Sequence, residues 1–165
     1  MWMLNADIKF SAKSLYLHLI KINCGFPQKF LWKSKVPTKI KIFLWLLNRK
    51  SIFIRDNLLK RGWKGDKNCV FCGKDETIDH LFFSCSVPKL VWNLIRCSFD
   101  MRSIPADLND CFGGWINSFP KNDKNKLVLV CTSALLWAVW RCRNDIIFER
   151  KKMNDPLGLI KLMCN

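Results

Sequence analysis

Acidic residues are scarce in this chain: 13 Asp and Glu stand against 28 Lys and Arg among 165 residues, and histidine occurs twice. The few carboxylates are scattered, so the sequence offers no cluster of the kind that holds Mg²⁺ for phosphoryl-transfer chemistry. Long hydrophobic runs are missing too. The longest apolar stretch, residues 127–140, is broken by Thr132 and Ser133, and it is shorter than the ~20 residues a membrane-spanning helix needs. Residues 1–7 lack a basic region leading into an apolar core, so no secretory signal is expected there. No internal repeat or low-complexity tract is present. The expected setting is intracellular and reducing, in the nucleus or cytoplasm, with no membrane partner. Nine cysteines are an odd number and lack the spacing of a disulfide framework, which agrees with that setting and directs attention to local thiol chemistry.

What is present begins with charge. A formal net charge of +15 is large for this length, and it favours nucleic acid, or less readily an anionic membrane surface, as partner. Half the residues are apolar, with eight Trp and twelve Phe, so a wholly disordered chain is excluded. The size suits one compact domain, or one domain with a helical extension.

Periodicity predicts a mainly α fold. A short extended segment at 7–10 precedes a helix capped by Ser11 and running to about Ile22, ended by Gly25 and Pro27. The chain turns at Val36 and Pro37, with Thr38 as cap of a helix over 39–49 that carries Ile40, Phe43, Leu44 and Leu47 on one face. A short helix over 54–61 stops at Gly62. Ser86 and Pro88 open a helix with Leu90, Val91, Leu94 and Ile95 on its apolar side. Pro105, Gly113, Gly114 and Pro120 mark a looser connection. After Asn122 and Asp123 comes the strongest helix, to about Glu149, with Leu127, Cys131, Ala134, Leu135, Ala138 and Cys142 close to one stripe. At ~1.5 Å per residue it is roughly 40 Å long.

The most informative spacing is C-x2-C-x7-H-x4-C, formed by Cys69, Cys72, His80 and Cys85. Two thiolates separated by two residues can grip one Zn²⁺ from a tight turn, with Gly73 freeing the backbone just beyond. His80 and Cys85 close the tetrahedron from a following short helix or turn. Three thiolates and an imidazole leave no open position, so one structural zinc is expected rather than a catalytic one. The competing readings are four buried residues in chance order, or a redox Cys pair; the absence of a βαβ pattern argues against the latter. Asp79 is either an acceptor for the second ring nitrogen of His80 or a solvated helix-start residue. Lys60, Arg61, Lys64, Lys67 and Lys74 flank the cluster, offset its net charge of −1 and leave a positive surface beside it.

These residues resemble a known family. The run W-x4-D-x2-F-S-x-K-S-x-Y from Trp2 to Tyr16 resembles the opening of the reverse transcriptase zinc-binding domain of plant non-LTR retrotransposons. So do Trp32-Lys33-x2-Val36-Pro37-x-Lys39-Ile40-x-Ile42-Phe43-Leu44-Trp45 and Asp56-x-Leu58-x2-Arg61-Gly62. The likeness continues through Cys69-x2-Cys72, Glu76-Thr77-x-Asp79-His80-Leu81-Phe82-Phe83-x-Cys85 and Val91-Trp92. The tail Trp137-Ala138-x-Trp140-Arg141-x-Arg143-Asn144-x2-Ile147-Phe148 resembles the segment that follows this domain in such elements. Departures are Ile8, where the family often has Gly, and Ile54, where a capping Thr is common. The resemblance implies zinc binding and association with element RNA or target DNA during reverse transcription. It divides the chain into a zinc-binding domain at 1–100 and a linker with a long C-terminal helical extension at 101–165. No paired-Asp polymerase motif, endonuclease domain or carboxylate-rich RNase H segment accompanies it, so the chain is expected to be a non-catalytic piece of a larger polyprotein, or a gene remnant.

Other candidates weigh less. His18 stands alone, and Cys24, Cys97, Cys111, Cys131, Cys142 and Cys164 lack metal spacing, so structural roles are expected for them. Trp32, Phe43, Trp45, Trp92, Trp137 and Trp140 are core aromatics or, alternatively, a base-stacking platform. Arg141, Arg143 and Asn144 either contact phosphates or cap and solvate the long helix. Two functional classes stay open: a zinc-dependent module that binds RNA or DNA, and a packing module that docks the polymerase to downstream domains of a polyprotein.

Overall fold

The computed structural model describes residues 35–115 and 123–149, together with Gly158 and Ile160. The segment at 7–10, the helix at 11–22, His18, Cys24, Trp32 and Cys164 lie outside the described residues. The described chain is mainly helical: α1 Thr38–Asn48, α2 Arg55–Lys60, α3 Ser86–Ser98 and α4 Asp123–Phe148. Two wider π-turns, His80–Ser84 and Cys111–Trp115, and one helical turn, Leu108–Asp110, fill the intervals. An isolated antiparallel bridge joins Asn68 to Asp75. No described helix is long and apolar enough to cross a membrane.

Helix α1 starts one residue earlier than its pattern suggested. Pro37 holds the cap position, where its carbonyl accepts from the N–H groups of Ile40 and Lys41. Thr38 is the first helical residue and makes no side-chain cap bond. Phe43, Leu44 and Leu47 are buried as their spacing requires. Helix α2 ends as expected at Gly62, whose φ is +86°. Its start has no local side-chain cap, because Ile54 occupies that position and is wholly buried.

Helix α3 presents a different stripe from the expected one. Val87, Pro88, Val91, Trp92 and Ile95 face the core, whereas Leu90 and Leu94 are each 42% exposed. Trp92 fixes this rotation: its indole N–H donates to the carbonyl of Phe82 at 2.8 Å, and its ring stacks on Phe83 and meets Trp115 edge-on. The stretch after α3 is also more ordered than its Gly and Pro residues suggested. Leu108, Cys111, Phe112 and Trp115 are buried there, and the indole N–H of Trp115 donates to the Ser103 carbonyl at 3.0 Å.

Helix α4 spans 26 residues, about 40 Å at ~1.5 Å per residue. It buries two adjacent stripes, with Val128, Leu135, Ala138 and Cys142 on one side and Leu129, Thr132, Leu136, Val139 and Arg143 on the other. Leu127, expected on the buried stripe, is exposed. The helix packs on α1, α3 and the His80–Ser84 turn. At its centre, Phe43 meets Trp137 edge-on at 5.3 Å, stacks on Trp140 at 5.9 Å and touches Phe82 at 6.2 Å. The metal-type turn is thus rooted in the same aromatic core as the long helix.

Candidate metal centre

The first two sulfurs come from a tight knuckle. The Gly73 N–H donates to the Cys69 carbonyl at 2.9 Å, and the Glu76 N–H donates to the Lys67 carbonyl at 2.8 Å. Gly73 adopts φ +76°, a left-handed conformation that an L side chain reaches only at a cost of roughly 1–2 kcal/mol. The other two ligand-type residues come from the π-turn. The Cys85 N–H donates to the His80 carbonyl at 2.8 Å, a five-residue step that widens the turn and ties the two backbones together. Thr77 Oγ1 accepts the His80 N–H at 3.1 Å. Leu81, Phe82 and Phe83 point into the core and leave His80 half-buried at its edge.

The four candidate ligand atoms, from Cys69, Cys72, His80 and Cys85, all lie within 4.8 Å of one another. Cys72 Sγ and His80 Nε2 are 3.1 Å apart. A tetrahedral zinc with bonds of about 2.3 Å to sulfur and 2.0–2.1 Å to nitrogen has edges of roughly 3.5–3.8 Å, so the cluster fits one ion with small adjustments. Its electrostatics suit metal loading. The Cys69 thiol is pushed up by its hydrogen bond to Cys85 and by burial. The same bond pulls Cys85 down, and an ion that binds both sulfurs takes them as thiolates. Burial, and then the nearby Lys74 charge, lower His80 below the ordinary imidazole range and favour the neutral ligating form. Three sulfurs and one nitrogen make a closed donor set of the structural zinc type.

Two carboxylates of this loop serve contacts that the sequence did not foretell. Glu76 is buried, and its Oε1 accepts from Arg143 Nη2 and from the Arg55 N–H, both at 2.8 Å. It therefore supplies from a distance the cap that α2 lacks at Ile54, and it anchors α4 to the knuckle. Arg143 faces neither solvent nor phosphate; it also donates to Asn144 Oδ1 at 3.0 Å. Asp79 is spent in the same way: its Oδ1 accepts the Leu108 N–H at 3.0 Å. The second His80 nitrogen lies instead 3.5 Å from Ser84 Oγ. Both Glu76 and Arg143 stand in the resemblance pattern, but no local spacing links positions 67 residues apart.

Lys60, Arg61, Lys64, Lys67 and Lys74 are all exposed. Lys60 pairs with Asp56 at 2.8 Å and Lys67 with Asp75 at 3.0 Å. The Arg61 guanidinium lies over the Phe53 ring, 5.0 Å from its centroid. Among the aromatic candidates, Phe43 and Trp92 are buried, and Trp137 and Trp140 are half-buried against Phe43. Trp45 is half-buried and covered by Arg49. Among the described residues the exposed aromatics are Phe53, Trp63 and Phe148, none of which was a candidate for base stacking. Of the remaining cysteines, Cys111 and Cys142 are buried and Cys97 is exposed.

Comparison with known proteins bears on this centre. A curated protein of Arabidopsis thaliana named "Putative ribonuclease H protein" is 27% identical over 180 residues, covering 97% of this chain and 27% of its own length. The chain thus spans about a quarter of that relative. No solved structure matches it. A family model described as zinc-binding in reverse transcriptase matches residues 10–92. That match covers half of the chain and contains the whole Cys₃His cluster, so the chain belongs to the reverse transcriptase zinc-binding family.

Proposed function

We propose that this protein is an accessory module of a retrotransposon-derived reverse transcriptase polyprotein, non-catalytic, that binds RNA or DNA. One structural zinc is held by Cys69, Cys72, His80 and Cys85. Lys60, Arg61, Lys64, Lys67 and Lys74 neutralise phosphates, with the zinc holding their loop in register. The observation that carries the reading is a closed Cys₃His cluster flanked in sequence by five exposed basic side chains, in a chain of net charge +15. The zinc-binding domain occupies residues 1–100, and residues 101–165 are a linker and a long C-terminal helical extension. The relative's name speaks of ribonuclease H; in a longer polypeptide this module would hold nucleic acid beside such neighbours, in the nucleus or cytoplasm.

A second reading, a module that docks other domains of the polyprotein, draws on Leu90 and Leu94, exposed one turn apart on α3. A salt titration separates the two. Each phosphate neutralised contributes a slope of about −0.9 on duplex DNA and about −0.7 on single strands. Replacing all five basic residues by Gln lowers the slope by about 2–4 units, because Lys60 and Lys67 are already engaged in weak surface pairs. Zinc content stays at the parental level. A quintuple variant that binds RNA and DNA as tightly as the parent at every salt refutes the nucleic-acid reading and favours docking.

A further inference from the structure

Around α2 the chain exposes two aromatic rings beside its basic residues. Phe53 lies between Ile52 and Ile54, which are 4% and 0% exposed. The Ile54 N–H donates to the Ile52 carbonyl at 3.0 Å, a tight three-residue turn with Phe53 at its apex, so the two flanking isoleucines go into the core while Phe53 is 56% exposed. Trp63, just past the end of α2, is 43% exposed. Its indole lies flat on Gly65, where an added Cβ would fall inside the ring's van der Waals envelope. One face of the indole is thus held by backbone. Arg61, between the two in sequence, sets its guanidinium over Phe53. Lys60 and Lys64 stand exposed on either side of Arg61.

We infer that Phe53, Arg61 and Trp63 form a stacking platform for the bases of a single-stranded nucleic acid, with Lys60 and Lys64 on its phosphates. The inference rests on the nucleic-acid reading above and specifies its ligand as an unpaired strand. Planar faces presented to solvent stack unpaired bases without regard to sequence, whereas a duplex hides its base faces within the helix. Two large exposed rings amid cations are otherwise a costly surface for a soluble chain. The charge around them selects a polyanion over an apolar protein partner.

The test uses the full, zinc-loaded chain with labelled oligo(dT), oligo(U) and a DNA duplex of equal length at matched salt. The double variant Phe53→Ala, Trp63→Ala is compared with Phe53→Tyr, Trp63→Phe, which keeps two rings, and metal content verifies that both fold around zinc. Loss of a stacked ring weakens binding roughly 5- to 150-fold. The expected result for the Ala pair, which removes two rings, is a loss of at least about 30-fold on single strands, with the duplex affinity and the salt slope near parental, and recovery in the Tyr/Phe pair. An Ala pair that binds single strands like the parent overturns the platform and leaves Phe53 and Trp63 to a protein partner. A parent that binds neither strands nor duplex overturns the nucleic-acid reading as well.

Discussion

Truncating Glu76 to Ala tests how the knuckle and the long helix are joined. Its side chain is 0% exposed and that of Arg143 is 2%, so solvent screens the pair very little. The Glu76→Ala change leaves the Arg143 guanidinium buried with, among the described residues, Asn144 and the Trp140 face beside its charge. Breaking a buried pair from one side costs about 3–5 kcal/mol. The uncapped Arg55 N–H adds about 1 kcal/mol. Against a total stability of roughly 5–15 kcal/mol, a loss of about 4–6 kcal/mol lowers the melting temperature by about 10–20 °C. Denaturant unfolding followed by far-UV circular dichroism measures it, with zinc in fixed excess so that ligand linkage is constant. Arg143→Ala and the double variant complete a cycle with a coupling energy above about 2 kcal/mol. A Glu76→Ala loss under about 1 kcal/mol, or strictly additive single effects, refutes the argument.

Other outcomes follow from the same geometry. Gly73→Ala forces an L residue to φ +76° and costs about 1–2 kcal/mol; a zinc-competition titration reads it as weaker metal affinity, while parental affinity would remove the strain argument. On α3, Ile95→Ala loses about 2–5 kcal/mol by opening the core, whereas exposed Leu94→Gln stays within about 0.5 kcal/mol. Equal losses at the two positions in denaturant unfolding would contradict the observed rotation of that helix.

The ligand cluster was legible because its chemistry is local: Cys69, Cys72, His80 and Cys85 fall within one short stretch, and few structures other than a metal knuckle use that spacing. The mainly α fold was legible from the periodicity of α1 and α4. The face of α3 was not, since 90/91/94/95 and 88/91/92/95 both satisfy helical spacing. What chose between them was the bond from Trp92 to the Phe82 carbonyl, which belongs to a different segment. Residues 101–115 read as a loose connection because Pro105, Gly113 and Gly114 punctuate them; Leu108, Cys111, Phe112 and Trp115 nonetheless keep the i, i+3, i+4, i+7 spacing of a helical face, and all four are buried. Glu76, Asp79 and Arg143 escaped because each is satisfied by a partner remote in sequence. The exposure of Phe53 depends on the burial of its two neighbours, which is a tertiary fact.

The central claim is that one zinc ion sits on the four converging residues. Metal analysis of the purified chain beside Cys85→Ser and Cys131→Ser tests it most directly. Binding of about 10–16 kcal/mol in zinc-finger peptides shows how far such a site outweighs an incidental thiol. The account predicts one equivalent of zinc in the parent and in Cys131→Ser, and loss of tightly bound zinc in Cys85→Ser. Equal zinc in all three proteins, or none in the parent, would contradict it.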